Sequence, residues 1–326
     1  MSTRETPVYL TRPEWAALSC AAMRFSLIIA TKDRLDPLRA ALESAAATLP
    51  PDGEAIVVDG DPAQSAKVVV EELRTRHPRL DLRYIFKEGG SAIQRNAGID
   101  AARGDVVVFI DDDCTIEPGM FAALSTAYED PTVVGATGRI RRPPRAGVVA
   151  EPGSRLRWLI LGGGQQGTMS SFGFRRPIMD VDEPRDVEYM PGPLMSARRD
   201  LAAEVRFDER LTAYALGEDD DFSYRTSRRG RIRYEPTASV QHHELGWKAM
   251  DRRALDRLRV VNNTYLFRKN FPQTFRAKAG FAALLAILCV HRILNREWSG
   301  LRGLMEGMGQ VWRAGGAGPV PTSGAN

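Results

Sequence analysis

The sequence predicts an α/β fold in which a mostly parallel sheet is covered by helices on both faces. Continuous apolar, β-branched runs alternate with segments whose apolar residues recur at helical spacing, from residue 25 to residue 128. Strands that are apolar on both faces are typical of parallel sheets buried between helices. Polar residues follow the first, second and fourth runs, and such sheets bind ligands beyond the carboxyl ends of their strands. We therefore expect a binding site at one rim of the sheet.

Four strand–helix units justify this fold, each with an apolar run and then apolar residues three or four positions apart. The strands are predicted at 25–30, 55–58, 82–86 and 106–110, and the helices at about 35–49, 63–76, 93–101 and 118–128. Residues 139–186 break this rhythm, because they are rich in Arg, Pro and Gly and contain GGGQQGTMSSFG. That composition predicts a mobile loop beside the site, with a passive linker as the alternative.

Three carboxylates, Asp111, Asp112 and Asp113, end the fourth strand in the sequence VVVFIDDDC. Because side chains alternate along an extended chain, we expect Asp111 and Asp113 on one side and Asp112 on the other. Two converging carboxylates repel each other, and a divalent cation that also binds substrate phosphate oxygens relieves this repulsion. An acidic turn after the strand is the alternative.

Other polar residues lie at the same predicted rim. Thr31 and Asp33 follow the first strand, and Asp59 follows the second within VVDGDP, where an Asp-Gly turn explains it equally well. The helix start GGSAIQRNAG adds backbone N–H groups and Arg95, a combination that suits an anionic ligand such as a diphosphate. The sequence has no GxxxxGK[ST] motif, so a P-loop nucleotide site is excluded.

A second acidic cluster, GEDDDFSYR, begins a predicted helix at residues 218–221. The helix dipole favours one or two acids in the first turn but does not account for four. One of them can serve as a general base toward an acceptor hydroxyl, whereas Asp221 can instead pair with Arg225 four residues on. The following strand ends in His242 and His243, for which a hydrogen-bonded structural pair is the alternative to a ligand role.

Charge and cysteine content exclude several classes of protein. The formal charge is +4, with acids clustered at 111–113 and 218–221 and arginines at 139–145, 225–233 and 252–259. This pattern favours an anionic substrate or a membrane surface over nucleic acid. The three cysteines show neither CxxC nor zinc-ligand spacing, which argues against a disulfide framework and a structural zinc site. The first 20 residues do not follow the pattern of a secretory signal, so a cytosolic location is expected.

The C-terminal part is predicted to be helical over 250–270 and around the apolar run FAALLAILCV at 281–290. That run is shorter than the roughly 20 residues needed to span a bilayer, but its basic flanks suit a peripheral position on the inner face of the membrane. A helical hairpin packed on the preceding domain, or on a second copy in a homodimer, is the alternative. The Gly-rich residues 314–326 are expected to be disordered.

Seven motifs stand in an order that resembles the family 2 nucleotide-sugar glycosyltransferases of the GT-A fold, over roughly residues 24–245. They are FSLIIATKDR, AIVVDGDP, GGSAIQRNAG, VVVFIDDDCTIEPG, YMPGPLMSARRD with FDERL, GEDDDFSYR and YEPTASVQHH. The resemblance implies a Rossmann-like, mostly parallel sheet, and the sequence pattern beyond it adds a helical C-terminal extension. The predicted divisions are a leader at 1–23, a catalytic domain at 24–248, C-terminal helices at 249–313 and a tail at 314–326. Within the catalytic domain, the nucleotide-sugar half covers about 24–138 and the acceptor half about 139–248.

The resemblance also implies roles for single residues. Asp111 and Asp113 would form the DxD site for Mg²⁺ or Mn²⁺, and one of His242 and His243 would approach the metal or the diphosphate. Asp219 would be the catalytic base. The nucleotide-sugar pocket would be lined by Thr31, Asp33, Asp59, Arg95, Asp111 and Asp112. The segment YMPGP stands where the family more often has a tryptophan and small residues, so neither the sugar nor the acceptor is defined.

The sequence therefore predicts a metal-assisted, inverting glycosyltransferase that moves a sugar from a nucleotide-diphosphate sugar to a hydroxyl of a glycan, a lipid-linked molecule or a small molecule. A metal-dependent sugar-phosphate nucleotidyltransferase is one alternative, although it needs no base for an alcohol and leaves the cluster around Asp219 unexplained. A catalytically silent protein that binds a sugar nucleotide or glycan is another. A processive polysaccharide synthase is disfavoured because the sequence lacks QxxRW.

Overall fold

A computed structural model describes residues 23–143, 164–179, 181–211, 216–244 and 251–313. The strands are β1 (Phe25–Thr31), β2 (Glu54–Asp59), β3 (Asp81–Phe86), β4 (Val106–Asp111), β5 (Cys114–Ile116), β6 (Val133–Arg141), β7 (Arg185–Val187), β8 (Leu194–Arg198) and β9 (Arg231–His242). The helices are α1 (Leu35–Thr48), α2 (Ala66–Arg76), α3 (Ser91–Ala101), α4 (Met120–Tyr128), α5 (Arg199–Val205), α6 (Glu218–Ser227), α7 (Arg252–Asn270), α8 (Phe275–Leu294) and α9 (Trp298–Arg313). Nearly all of the predicted leader, the predicted tail and much of the predicted mobile loop lie outside the described residues.

One sheet joins all nine strands in the order β3-β2-β1-β4-β8-β6-β9-β5, with β7 beside β9. The pairs β3-β2, β2-β1 and β1-β4 are parallel, whereas β8 is antiparallel to β4 and β6. The four predicted strand–helix units and the mostly parallel sheet are confirmed. The register sets Thr31 opposite Asp59 and Ala30 opposite Asp111, so these strand ends are level at one rim.

The apolar runs are continuous because both faces of the sheet are buried. On one face, Leu27 and Ile29 of β1 pack under α1, α2 and α4; on the other, Ile28 packs with residues of α3, α5 and α6. Fully burying one such side chain stabilises the fold by about 1.5–3 kcal/mol relative to leaving it exposed. The rigid sheet therefore fixes the positions of the polar residues at its rim.

The predicted boundary between the nucleotide-sugar half and the acceptor half, at 138/139, falls within β6. Strand β6 pairs with β8 and β9 in the same sheet that contains β1 to β4. The two halves therefore share one sheet and one pair of core layers.

The C-terminal helices form a layered group. Helix α9 approaches α7 closely at Gly303, where an added Cβ would lie 2.2 Å from the carbonyl oxygen of Arg253. Helix α8 packs through Gly280 against Phe172 of the segment 164–179. This group therefore contacts a loop of the catalytic domain.

Helix α8 corrects one expectation. The apolar run was expected to be too short to span a bilayer, but the helix continues on both sides of it to 20 residues. By length and composition alone, α8 is the one helix of the described part that could cross a membrane, with 22% of its most apolar window buried. Its contact with a membrane stays a prediction.

Candidate active site

A cleft of about 750 Å³ opens at the carboxyl ends of β1 and β4. Its walls are the acid triplet after β4, the N-terminal ends of α3 and α6, and the loop before β8. The N-terminal ends of two helices point N–H groups toward this space, which favours anionic ligands. The cleft therefore lies where the sequence predicts a site.

Asp111, Asp112 and Asp113 all line this cleft. The expectation that Asp112 points away is wrong, because β4 ends at Asp111 and the chain turns at residues 112–113 before β5 begins at Cys114. Side-chain alternation holds only while the chain stays extended. The turn gives each acid a different neighbour.

Asp112 is buried and held by two groups from the end of β1. Thr31 donates to one carboxylate oxygen at 2.7 Å, and Arg34 donates to the other at 2.6 Å. Burial raises the pKa of Asp112 to about 7, against the opposing effects of Arg34 and Thr31. Asp112 thus anchors the β1 loop to the triplet.

Asp113 meets His242 and Cys114 at a point where an ion could be held. The His242 Nε2 lies 3.2 Å from Oδ1 of Asp113, and ligand atoms of all three residues lie within 4.8 Å of one another. Burial opposes ionisation, but hydrogen bonds from His242 and Arg34 lower the pKa of Asp113 to about 2. A carboxylate fits Mn²⁺ or Mg²⁺, and an imidazole beside it suits Mn²⁺ better than Mg²⁺, which prefers oxygen ligands. Burial raises the pKa of the Cys114 thiol and makes it a poor ligand.

The structure separates the two histidines. His242 ends β9 opposite Cys114 and lines the cleft. His243 instead lies 2.9 Å from Oγ1 of Thr115 through its Nε2, and its backbone N–H donates to the carbonyl of Asp113. His242 therefore faces the site, and His243 supports the turn beside it.

Asp111 lines the same cleft but is not among the three residues whose ligand atoms lie within 4.8 Å of one another, so its role as a metal ligand stays a prediction. Nη2 of Arg95 donates to its carboxylate at 3.0 Å, and about 32% of its side chain is exposed. The Nη1 atom of the same guanidinium donates to Glu218 at 2.5 Å, and Ser91 donates to that carboxylate as well. Burial raises the pKa of Glu218, opposed by Arg95. Arg95 thus connects the two acidic clusters across the cleft.

The acids of the second cluster have distinct surroundings at the start of α6. Asp219 lines the cleft with 21% of its side chain exposed, accepts from the backbone N–H of Asp220, and lies 3.4 Å from Nη1 of Arg175. Asp220 accepts from Arg175 at 3.0 Å, and burial raises its pKa to about 6. Asp221 is fully buried and pairs with Arg225, as the spacing predicts. Of these three aspartates, Asp219 is the one that lines the cleft.

Two predicted nucleotide-binding residues lie outside the cleft lining. Asp59 is fully buried, and its carboxylate accepts from the backbone N–H groups of Asp61 and Ala66 and from the Tyr84 hydroxyl. Asp33 is exposed, with a left-handed backbone at φ 53°. The structure therefore brings Thr31 and Arg95 to the cleft but neither Asp33 nor Asp59.

Sequence reasoning gave no individual role to five charged residues of the cleft: Lys32, Arg34, Arg142, Arg175 and Glu218. Arg34 follows Asp33 directly in TKDR, and Glu218 precedes Asp219, so their position beside predicted residues was an available signal. Arg175 lies in a segment that has no periodic pattern. Only the fold shows that it reaches Asp219.

A Rossmann-like sheet with helices on both faces and acidic clusters at its rim defines the GT-A fold, as the sequence predicts. The family model of glycosyl transferase family 2 matches residues 26–204, which is more than half of the chain. The chain therefore belongs to glycosyl transferase family 2.

Curated relatives match parts of the chain. The pre-mycofactocin glycosyltransferase of Mycobacterium tuberculosis is 30% identical over 193 residues, which cover 59% of this chain but only 36% of that relative. The succinoglycan biosynthesis protein ExoM of Rhizobium meliloti is 28% identical over 268 residues, covering 77% of this chain and 79% of ExoM.

Solved structures agree on the fold. The mannosyltransferase PcManGT from Pyrobaculum calidifontis, in complex with GDP-Man and Mn²⁺, has a TM-score of 0.55 at 18% identity, covering 92% of this chain and 77% of PcManGT. A crystal structure of S. aureus TarS has a TM-score of 0.52 at 16% identity and covers 90% of this chain and 92% of the TarS chain.

Proposed function

We propose that this protein is an inverting, metal-assisted glycosyltransferase that moves a sugar from a nucleotide-diphosphate sugar to a hydroxyl acceptor. One observation carries the proposal: a single cleft contains Asp113 with His242 at one point and Asp219 at another. The reaction needs a place for the diphosphate and a separate base for the acceptor. Family membership and the names of the relatives support the same chemistry.

The donor would bind against the rim of β1 and β4. Arg95 is buried and points its guanidinium at this rim, where the N-terminal end of α3 also presents N–H groups. Asp113 and His242 would hold Mn²⁺ or Mg²⁺, which when bound would neutralise charge on the leaving diphosphate. Glu218 fixes the direction of Arg95 through their 2.5 Å contact. These residues bind and orient the donor.

The acceptor hydroxyl would approach Asp219. Gly192 leaves space on this side, since a Cβ added there would lie 3.8 Å from Oδ2 of Asp219 and 3.9 Å from Nη2 of Arg95. A base in this position removes the acceptor proton as the hydroxyl attacks from the face opposite the leaving group, which inverts the anomeric carbon. The proton therefore passes from the acceptor oxygen to the Asp219 carboxylate.

The acceptor is proposed to be a glycan, a lipid-linked molecule or a small molecule, without a choice among them. The protein is proposed to act in the cytosol at the inner face of a membrane. Exposed apolar side chains of α8 and α9 support this contact, among them Leu294 at 76% and Trp298 at 56% exposure. Full-length protein should sediment with anionic liposomes at low salt. Recovery in the supernatant, with dimers in solution, would favour a homodimer interface instead.

A panel of nucleotide-diphosphate sugars tests the proposed reaction. We expect at least one donor to raise the unfolding temperature and to be cleaved slowly, with both effects requiring Mn²⁺ or Mg²⁺. Donor cleavage at the same rate in EDTA would refute the requirement for a divalent cation. Binding without cleavage of every donor, with and without acceptor extracts, would favour a silent binding protein.

A further inference from the structure

We propose that the three C-terminal helices contain a binding site for one anionic phospholipid, with an acyl chain between the helices and the phosphate at Arg268 and Lys278. The site lies apart from the sheet rim. It deepens the proposed membrane contact and does not depend on sugar transfer. None of its residues lines the catalytic cleft.

The observation behind it is a cavity of about 320 Å³ among α7, α8 and α9. For comparison, an engineered apolar cavity of about 150 Å³ accepts benzene, and natural ligand sites begin near 300 Å³. Its apolar lining residues are Val260, Phe267, Phe281, Leu285, Met308, Val311 and Trp312. A cavity with these walls suits a hydrocarbon chain.

Two cationic side chains lie at the same cavity, Arg268 from the last turn of α7 and Lys278 from the first turns of α8. Neither side chain forms an ion pair or a hydrogen bond within the described part of the chain. Elsewhere in these helices, Arg253 of α7 forms an ion pair with Glu306 of α9. Two unpaired cations at an apolar cavity are therefore complementary to a lipid phosphate with its chain inside.

Two exposed aromatic side chains lie on α8 and α9, two of the helices that form the cavity. Trp312 lines it and is 85% exposed, and Phe275, one turn before Lys278, is 89% exposed. Tryptophan is enriched at the level of lipid headgroups. The surface around the cavity therefore fits the headgroup layer of a bilayer.

Other occupants fit less well. A second copy of the chain would bring Arg268 and Lys278 near the same cations of its partner, which is unfavourable. Residues 314–326 follow α9 directly, but their sequence AGGAGPVPTSGAN has no acidic side chain to pair with either cation. An anionic phospholipid is complementary both to the apolar walls of the cavity and to the charges of Arg268 and Lys278.

Titration calorimetry of the full-length protein with dioctanoyl phosphatidylglycerol, kept as monomers, tests the proposal. We expect saturable one-to-one binding, at least about tenfold weaker binding of dioctanoyl phosphatidylcholine, and no binding of inorganic phosphate alone. Leu285→Trp, which fills the cavity, should weaken binding about tenfold or more, whereas Leu288→Trp on the same helix should not. Removing both cations in Arg268→Gln/Lys278→Gln should weaken binding by a similar factor, whereas Arg296→Gln/Arg302→Gln should not.

Circular dichroism and the unfolding temperature confirm that each variant is folded. The proposal fails if the lipid does not bind saturably, or if the control variants lose as much affinity as the test variants. If truncation after Arg313 increases the affinity for the lipid, residues 314–326 compete for the cavity and are its natural occupant. A dimer that Leu285→Trp abolishes would assign it to a second copy, and either result overturns the proposal. Donor cleavage by the wild-type protein in the same preparation reports separately on sugar transfer.

Discussion

Replacing Asp219 by Asn should abolish most of the turnover while leaving donor binding nearly unchanged. The substitution keeps the shape of the side chain and its contact with the backbone N–H of Asp220, 3.0 Å away. It removes the ability to accept the acceptor proton. The proposed metal residues Asp113 and His242 follow β4 and end β9, whereas Asp219 lies in the first turn of α6. The effect should therefore appear in the rate rather than in donor affinity.

The size of the effect follows from the surroundings of Asp219. Loss of a general base costs on the order of 10² to 10⁴ in rate, or about 3–5 kcal/mol in the barrier. We expect the upper half of this range, because neither of the two aspartates that follow Asp219 in the sequence lines the cleft. Asp220 is paired with Arg175 and does not itself line the cleft, and Asp221 is fully buried in an ion pair.

Single-turnover transfer to an accepted acceptor measures the rate, and calorimetry with the nucleoside diphosphate and Mn²⁺ measures donor-site binding. Asp220→Asn is the matched control, since it changes the adjacent carboxylate and should cost less than about tenfold. If Asp219→Asn transfers sugar at the wild-type rate while Asp220→Asn is inactive, the base is misassigned. If both variants remain fully active, neither Asp219 nor Asp220 is the general base, and the proposed mechanism is refuted.

Three further predictions concern the metal, the core of α6 and the sheet. Asp113→Asn should remove most of the gain in nucleoside diphosphate affinity that Mn²⁺ gives to the wild type; equal calorimetric affinity with and without metal in both proteins would refute the site. Asp221→Asn should destabilise the protein by roughly 3 kcal/mol and lower the urea midpoint by about 1 M, because Arg225 and Lys269 both lose the fully buried carboxylate with which they pair; an unchanged midpoint would refute this. Burial opposes ionisation of Glu54, but hydrogen bonds from Arg83, Ser26 and Arg103 lower its pKa from 4.5 to about 2. The ionised Glu54 carboxylate thus contributes roughly 3 kcal/mol to the free energy of unfolding above pH 4.5, and this contribution is lost as the pH falls toward 2. In Glu54→Gln the free energy of unfolding should therefore depend less on pH between 4.5 and 2. The same pH dependence in the variant and the wild type would contradict this.

The sheet could be predicted from the sequence because its signal is local. Both faces of β1, β2 and β4 are buried, so each strand is a continuous apolar run that a short window reveals. The place of the site followed from the same reasoning, since the ends of parallel strands share one rim. The antiparallel insertion of β8 between β4 and β6 gave no such signal, because its pairing depends on residues far apart in the sequence.

The directions of the site side chains were harder to predict. Alternation would have placed Asp112 away from the cleft, but the turn before β5 redirects it toward Arg34. Asp59 stands at a strand end like the other acids, yet local N–H groups occupy its carboxylate. The approach of Arg175 to Asp219 depends on a loop whose sequence has no period. Such contacts are set by tertiary packing and lie outside local sequence rules.

The stereochemistry of donor cleavage tests the central claim most directly. The wild-type protein would be mixed with Mn²⁺ and the nucleotide-diphosphate sugar that stabilises it most, and the first-formed anomer of the released or transferred sugar followed by ¹H NMR before mutarotation. We predict the anomer inverted relative to the donor, and its formation lost in Asp219→Asn. A sugar released with the configuration of the donor, or at an unchanged rate from Asp219→Asn, would contradict a single displacement assisted by this base.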